Sequence, residues 1–269
     1  MFLRLPFYLI IFSTYLIFMS SFSPLGIAWL EWHGNRIFNA VEFLKINGYF
    51  SSYFFTIWSK CDGCDLSFDN WSDKIYLSRH YFNLFPYIVL NHFGDYNFLI
   101  FFGSLFDKFI IFLTAVFSAE IFIIILKKKY DYNISFIAIC FFTIFTVSPW
   151  TYKMILAPWA EIYVLFFFLI SIFFFMRGFK FYGLIFMFVI GLFQYQWSVI
   201  LSIYYIILLF IPFILSKNIN YLLFVPKIFT NSKDLFLLIL FLLIPVIFYL
   251  FLRFYFQSNF ATSSGSSLL

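Results

Sequence analysis

The chain has 269 residues, of which 64% are hydrophobic, 28% aromatic and 11% charged; its net charge is +5 and its mean hydropathy +0.97. Soluble domains carry roughly a quarter charged residues and about half apolar ones. A water-soluble globule, a disordered chain, a collagen, a coiled coil and a secreted disulfide scaffold are therefore all excluded. What remains is an all-α polytopic membrane protein, a transmembrane helical bundle whose first partner is the lipid bilayer. The basic residues are scattered between apolar runs and not pooled in one tract, so they argue against a nucleic-acid partner and report topology instead.

A helix that crosses a membrane needs about 20 mostly apolar residues to span roughly 30 Å. In lipid the backbone must satisfy its own hydrogen bonds, which makes such runs helices. Seven runs qualify: 7–25, 109–126, 134–147, 158–176, 181–193, 198–215 and 235–252. Arg4 ahead of the first run is reminiscent of a signal peptide. No small-x-small cleavage site follows, and Pro24 to Leu30 prolong the apolar stretch, so the helix is read as retained. Residues 28–108 form one long loop. Within it, 81–106 is apolar but interrupted by Pro86, Asn91, His92, Gly94 and Asp95, and is read as interfacial or re-entrant helix.

With the N-terminus cytoplasmic, nine Lys and Arg residues fall inside (Arg4, Lys127, Lys128, Lys129, Arg177, Lys180, Lys217, Lys227 and Lys233) against two, Lys153 and Arg253, in the short outside segments. That bias sets the orientation in a cell (inner) membrane and supports an odd number of spans. The long loop is then extracytoplasmic. It holds eight of the twelve acids (Glu31, Glu42, Asp62, Asp65, Asp69, Asp73, Asp95 and Asp107) and all three histidines, His33, His80 and His92.

Residues 28–50 read as an amphipathic helix lying on the membrane surface. Glu31, Asn35, Asn39 and Glu42 share one face, and Leu30, Ile37, Val41 and Leu44 another. Trp29 and Trp32 suit an interfacial anchor, His33 and Arg36 are neighbours on a third strip beside Ala40, and Asn47-Gly48 is a helix stop. Further on, Cys61-x-x-Cys64 lies among four Asp residues; unpaired thiols, a local disulfide and a metal pair stay open as readings, one Cys pair being a weak metal signal. Glu120 sits inside the second run, roughly 10 Å from its cytoplasmic end at 1.5 Å per residue. An acid at that depth either serves function or finds a polar partner in the bundle. The aromatic loop at 148–154 leads to Pro158 and Glu161 at the start of the fourth run, where an acid favours the helix N-terminus or faces an outside cavity. Gln194 to Trp197 make the next outside turn.

This order of elements resembles the GT-C class of integral-membrane glycosyltransferases, and most closely the polyprenol-phosphate-sugar users such as protein O-mannosyltransferases and aminoarabinose transferases. That family has one N-terminal span, a long extracytoplasmic loop with surface-lying helices, and then a bundle. Its first loop helix opens with Asp-Glu-x-Arg-Tyr-Ala and ends at a Gly. The comparable run here is His33-Gly34-Asn35-Arg36-Ile37-Phe38, ending at Gly48-Tyr49-Phe50. Residues 76–94 resemble the family's apolar stretch before the second span, and Ser148-Pro149-Trp150 with Glu161 resembles its Ser-Pro loop and following acid. The family's catalytic Asp falls on His33, so the nearest carboxylate is Glu31, two residues earlier; Arg36 matches. The resemblance implies transfer of a sugar from a lipid-linked donor to an unspecified acceptor on the extracytoplasmic side. Glu31 would be the catalytic base, His33 and Arg36 would lie near the lipid phosphate and Glu161 on sugar or acceptor, with no metal or other cofactor.

Other classes compete with this reading. A transporter or flippase would place polar residues near the midplane of repeated halves, and beyond Glu120 there are almost none. A non-catalytic or degenerate membrane subunit fits the absent Asp, and a polysaccharide polymerase of the envelope fits the same distribution. The Ser- and Gly-containing end, 259–269, reads either as a frayed tail or as an outside loop leading to further spans of a longer chain.

Overall fold

The computed structural model describes residues 2–22, 35–48, 56–57, 65, 75–76, 84–127, 134–156, 160–215 and 232–259. One short antiparallel pair, β1 (Thr56–Ile57) with β2 (Ile75–Tyr76), is the exception to helix among its regular elements. A 3-10 turn at Phe2–Arg4 leads into α1 (Leu5–Phe22), followed by α2 (Asn35–Asn47), α3 (Phe85–Phe93), α4 (Tyr96–Lys127) and α5 (Ile134–Thr146). Then come α6 (Pro149–Leu156), α7 (Ala160–Met176), α8 (Lys180–Phe193), α9 (Tyr195–Leu215) and α10 (Ser232–Asn259).

Among the described residues, each of the seven apolar runs falls on a helix. Among the described residues two of these are long and apolar enough to cross a membrane, over Tyr96–Leu126 and Phe236–Tyr255, and a third crossing arises if α5 and α6 act together across their 58° bend. The helices α1, α7, α8 and α9 supply shorter apolar stretches. The 14 residues of α8 rise only about 21 Å, because Gly178 at φ 87° stops the chain before it and Gln194 turns it after.

Two boundaries differ from the sequence reading. The loop was expected to reach residue 108, yet α4 begins at Tyr96 and runs unbroken for 32 residues. Asp95 is the cause: its carboxylate accepts from the Phe98 backbone N–H at 2.9 Å, an N-cap that starts a new helix where Gly94-Asp95 looked like an interruption. Pro86 likewise opens α3 and does not break it. The second difference is the 148–154 loop, which is helical. Pro149 begins α6, and Ser148 caps it by accepting from the Thr151 N–H at 3.2 Å. Irregular backbone at the α5–α6 break is satisfied internally, since Phe145 O accepts from both Ser148 N at 3.2 Å and Thr151 Oγ1 at 2.7 Å.

Cross-helix pairs fix the directions of the bundle. On α1 and α4, Tyr8 meets Glu120 while Phe12 meets Phe112 with ring centroids 5.3 Å apart, so the two run antiparallel. Arg4 also reaches Ser135 at the start of α5, while Phe142 further along packs on Phe112 at 6.1 Å, so α5 is antiparallel to α4 as well. The pairs Phe174–Phe186 at 5.6 Å and Tyr163–Phe193 at 5.5 Å make α7 and α8 antiparallel. Lys180–Asp234 at one end, and Gly191 under Pro245 further along, set α8 and α10 side by side in the same direction. One end of the bundle therefore gathers Arg4, Lys127, Arg177, Lys180 and Lys233. The opposite end gathers the start of α4 and α7 and the far halves of α8 and α10.

On that opposite end sit α2 and α3. The apolar stripe of α2 (Ile37, Ala40, Val41, Leu44) is buried together with Leu84, Tyr87 and Ile88 of the α3 region, Leu99 of α4 and Tyr249 of α10. Gly48, at φ 81°, accepts the left-handed conformation that ends α2, its N–H bonding Leu44 O at 3.0 Å. The expected polar face is not wholly solvent-facing: Asn39 is 6% exposed, and Glu42 accepts from Asn91 Nδ2 at 2.6 Å. A helix roofed by α3 on one side cannot leave a whole polar face in water.

Candidate functional site

At the roofed end, the sequence puts one acid in the middle of an apolar helix. Asp107 lies twelve residues into α4's 32, and the 20 residues from it to Lys127 rise about 30 Å, one hydrocarbon thickness. If Lys127 marks one boundary of the apolar layer, Asp107 marks the other. Its carboxylate is 1% exposed. Oδ1 accepts hydrogen bonds from Tyr87 Oη of α3 and Tyr163 Oη of α7, and those two oxygens lie 2.9 Å apart. Burial, and next the negative charge of Asp107, holds the Tyr87 phenol well above its usual range, so it stays a donor. The Tyr163 ring stacks on Phe193 at 5.5 Å and on Phe106 at 6.4 Å, which excludes water from its side. Next to this cluster, Lys108 Nζ donates to Ser104 Oγ at 2.5 Å along α4 itself.

The cluster joins three elements that are distant in sequence: α3, α4 and the start of α7. Chemically it is a charge-assisted fastening. In the conformation observed, no face of the Asp107 carboxylate opens to a substrate.

A second buried acid lies at the other end. Glu120 is 2% exposed, and Arg4 grips it with Nη2–Oε2 at 2.8 Å and Nε–Oε1 at 3.1 Å, while Tyr8 Oη donates to Oε1 at 3.1 Å. The hydrogen bond to Glu120 raises the Arg4 pKa further, with burial opposing it. Of the roles read for Glu120, the polar partner within the bundle is the one observed.

The expected catalytic and binding residues are placed only in part. Glu31, His33, Cys61 and Cys64 lie outside the described residues. Arg36 is the second residue of α2 and Glu161 the second residue of α7; their side chains also lie outside the described set. Their backbones are nonetheless on the same end, since α2 packs on α3 and α3 is fastened through Tyr87 to Tyr163, two residues beyond Glu161. Among the described residues no group of three or more His, Cys, Asp and Glu side chains converges as metal ligands would.

The Asp107 cluster escaped sequence reasoning. Asp107 was counted among the loop acids, and the signal that would have set it apart was its apolar surroundings on both sides, 98–106 and 109–126. Tyr87 and Tyr163 carried no signal among 19 tyrosines. These features define a helical membrane protein. No protein-family model, curated protein or solved structure matches the chain.

Proposed function

We propose that the chain is a membrane glycosyltransferase of GT-C type, moving a sugar from a polyprenyl-phosphate donor to an acceptor on the extracytoplasmic side of the cell membrane, with the N-terminus cytoplasmic and seven crossings. The observation that carries this reading is the docking of α2 onto α3 and α10 at the bundle end opposite the basic residues. That is where a surface-lying loop helix would roof an outward-facing site. The alternating helix directions agree with it. In this reading Glu31, N-terminal to α2, is the base that deprotonates the acceptor hydroxyl. Arg36 and His33 hold the lipid phosphate, and Glu161 orients sugar or acceptor.

A second reading, a non-catalytic subunit that binds a lipid-linked sugar without turnover, is favoured by one observation. The acid held at the roofed end, Asp107, is buried and engaged by two phenols, and the catalytic Asp of the resembling family is replaced by His33.

The experiment is transfer from a panel of radiolabelled polyprenyl-phosphate sugars by the full chain in proteoliposomes. The proposal expects transfer by the wild type, none by Glu31→Gln at unchanged membrane insertion, and weaker donor binding by Arg36→Ala. Full activity of Glu31→Gln removes the catalytic assignment. Donor binding without transfer by the wild type establishes the second reading.

A further inference from the structure

Along α1, on the side facing the α5–α6 break, runs an open groove of about 800 Å³ whose ends are marked by Ile10 and Met19 and whose far wall is Pro149 and Tyr152. Its size falls in the range of small-molecule sites. The groove brings several free hydroxyls together. Three hydroxyls, those of Thr14, Tyr15 and Tyr152, line it, and none of them hydrogen-bonds within the protein among the described residues. Threonine inside a helix ordinarily returns its hydroxyl to the preceding turn, as Thr114 does to Ile110 O at 2.7 Å and Thr143 to Ile139 O at 2.8 Å. Thr14 does not.

We propose that this groove is a binding site for one acyl chain of a membrane phospholipid, with the chain's ester carbonyl held by the hydroxyls of Tyr15 and Tyr152. Three features of the groove select this occupant. Its ten-residue run from Ile10 to Met19 spans about 14 Å, close to the depth of one leaflet of a roughly 30 Å core. Its Pro149–Tyr152 wall lies on α6 beside the exposed Lys153, a residue that belongs at the membrane–water boundary where ester groups sit. Its lining contains neutral donors and no Lys, Arg or His. A phosphate dianion there would lack a counter-charge, whereas a neutral carbonyl takes hydroxyl donors well. The site is independent of the transferase reading, and its lining shares no residue with the Asp107 cluster.

The test uses the full chain in vesicles of phosphatidylethanolamine and phosphatidylglycerol doped with a phosphatidylglycerol carrying a diazirine midway along one acyl chain. Adducts are mapped by mass spectrometry after illumination. The proposal expects adducts concentrated on the α1 and α6 walls of the groove relative to the equally lipid-facing Phe251 and Phe254 of α10. Tyr15→Phe and Tyr152→Phe keep the rings and remove one donor each, and each lowers the groove adducts about fivefold, the effect of one ordinary hydrogen bond. Filling the groove with Ile11→Trp abolishes them while α10 adducts persist, which also reports that the protein is folded. Uniform labelling of α1 and α10, or no effect of either Tyr→Phe change, overturns the proposal. So does complete displacement of the probe by an equal amount of polyprenyl phosphate, which would assign the groove to a phosphorylated isoprenoid.

Discussion

Arg4 and Glu120, 116 residues apart, are joined by two hydrogen bonds that close α1 against α4 at the basic end of the bundle. A buried carboxylate left without its cation is strongly unfavourable. Arg4→Ala should therefore destabilise the protein by about 3 kcal/mol, the lower part of the range for breaking a buried pair because Arg4 keeps some solvent contact. Glu120→Gln should cost less, since the amide oxygen still accepts and the charge left unpaired, Arg4, keeps some solvent contact where Glu120 has almost none. Thermal unfolding in detergent measures both.

The Asp107 cluster should behave as a fastening between loop and bundle. Tyr87→Phe and Tyr163→Phe each remove a hydrogen bond to a carboxylate and should cost about 1.5–3 kcal/mol. Asp107→Asn should be milder than Asp107→Ala, because the amide oxygen still accepts. Tyr87 also predicts a pH dependence. Below its usual pKa of 10.0 the phenol is protonated in folded and unfolded chains alike, so its contribution is complete. As pH rises past that value the unfolded chain loses a proton that the folded Tyr87 retains, and stability falls. Melting temperature measured from neutral to strongly alkaline pH should decline less steeply in Tyr87→Phe than in the wild type.

Gly191 lets α8 meet α9 and α10 closely. A Cβ built there would stand 2.6 Å from Pro245 Cβ and 2.9 Å from Ser198 Oγ, neither of which is the free end of a flexible chain. Gly191→Ala should cost about 1–3 kcal/mol by overpacking, despite alanine's better helix propensity. Gly183→Ala faces instead the Phe175 ring at 2.7 Å. A ring can rotate away more readily than a proline can retreat, so it should cost less. Unfolding midpoints of the two variants decide the order.

The helices were legible in the sequence because long apolar runs in lipid admit little else, and α5, α8 and the stop at Gly48 fall where hydropathy and turn chemistry place them. The misread segments were those where one residue has two meanings. Asp95 breaks one helix and caps the next, and Pro149 reads as a loop residue until Ser148 caps the helix that it opens. The apolar stripe of α2 was visible from its spacing, but the burial of Asn39 was not, because that depends on α3 arriving from about fifty residues away. The Asp107 cluster was out of reach for the same reason: hydroxyl–carboxylate partners on three separate helices leave no local pattern. Glu31, His33, Arg36 and Glu161 were chosen from a family pattern, and of these only the backbone positions of Arg36 and Glu161 are placed.

Extracytoplasmic transfer requires α2 and the Asp107 end to lie on the outer side of the membrane. Impermeant maleimide labelling of single cysteines, in a background with Cys61, Cys64 and Cys140 replaced by serine, measures this in intact cells. Ile46 on α2 and Lys180 at the start of α8 are both exposed in the structure and lie at opposite ends of the bundle. Cysteine at Ile46 should label from outside, and cysteine at Lys180 only after permeabilisation. Labelling of Lys180 from outside with Ile46 protected, or of both from the same side, would contradict an outward-facing roofed end and the extracytoplasmic transfer built on it.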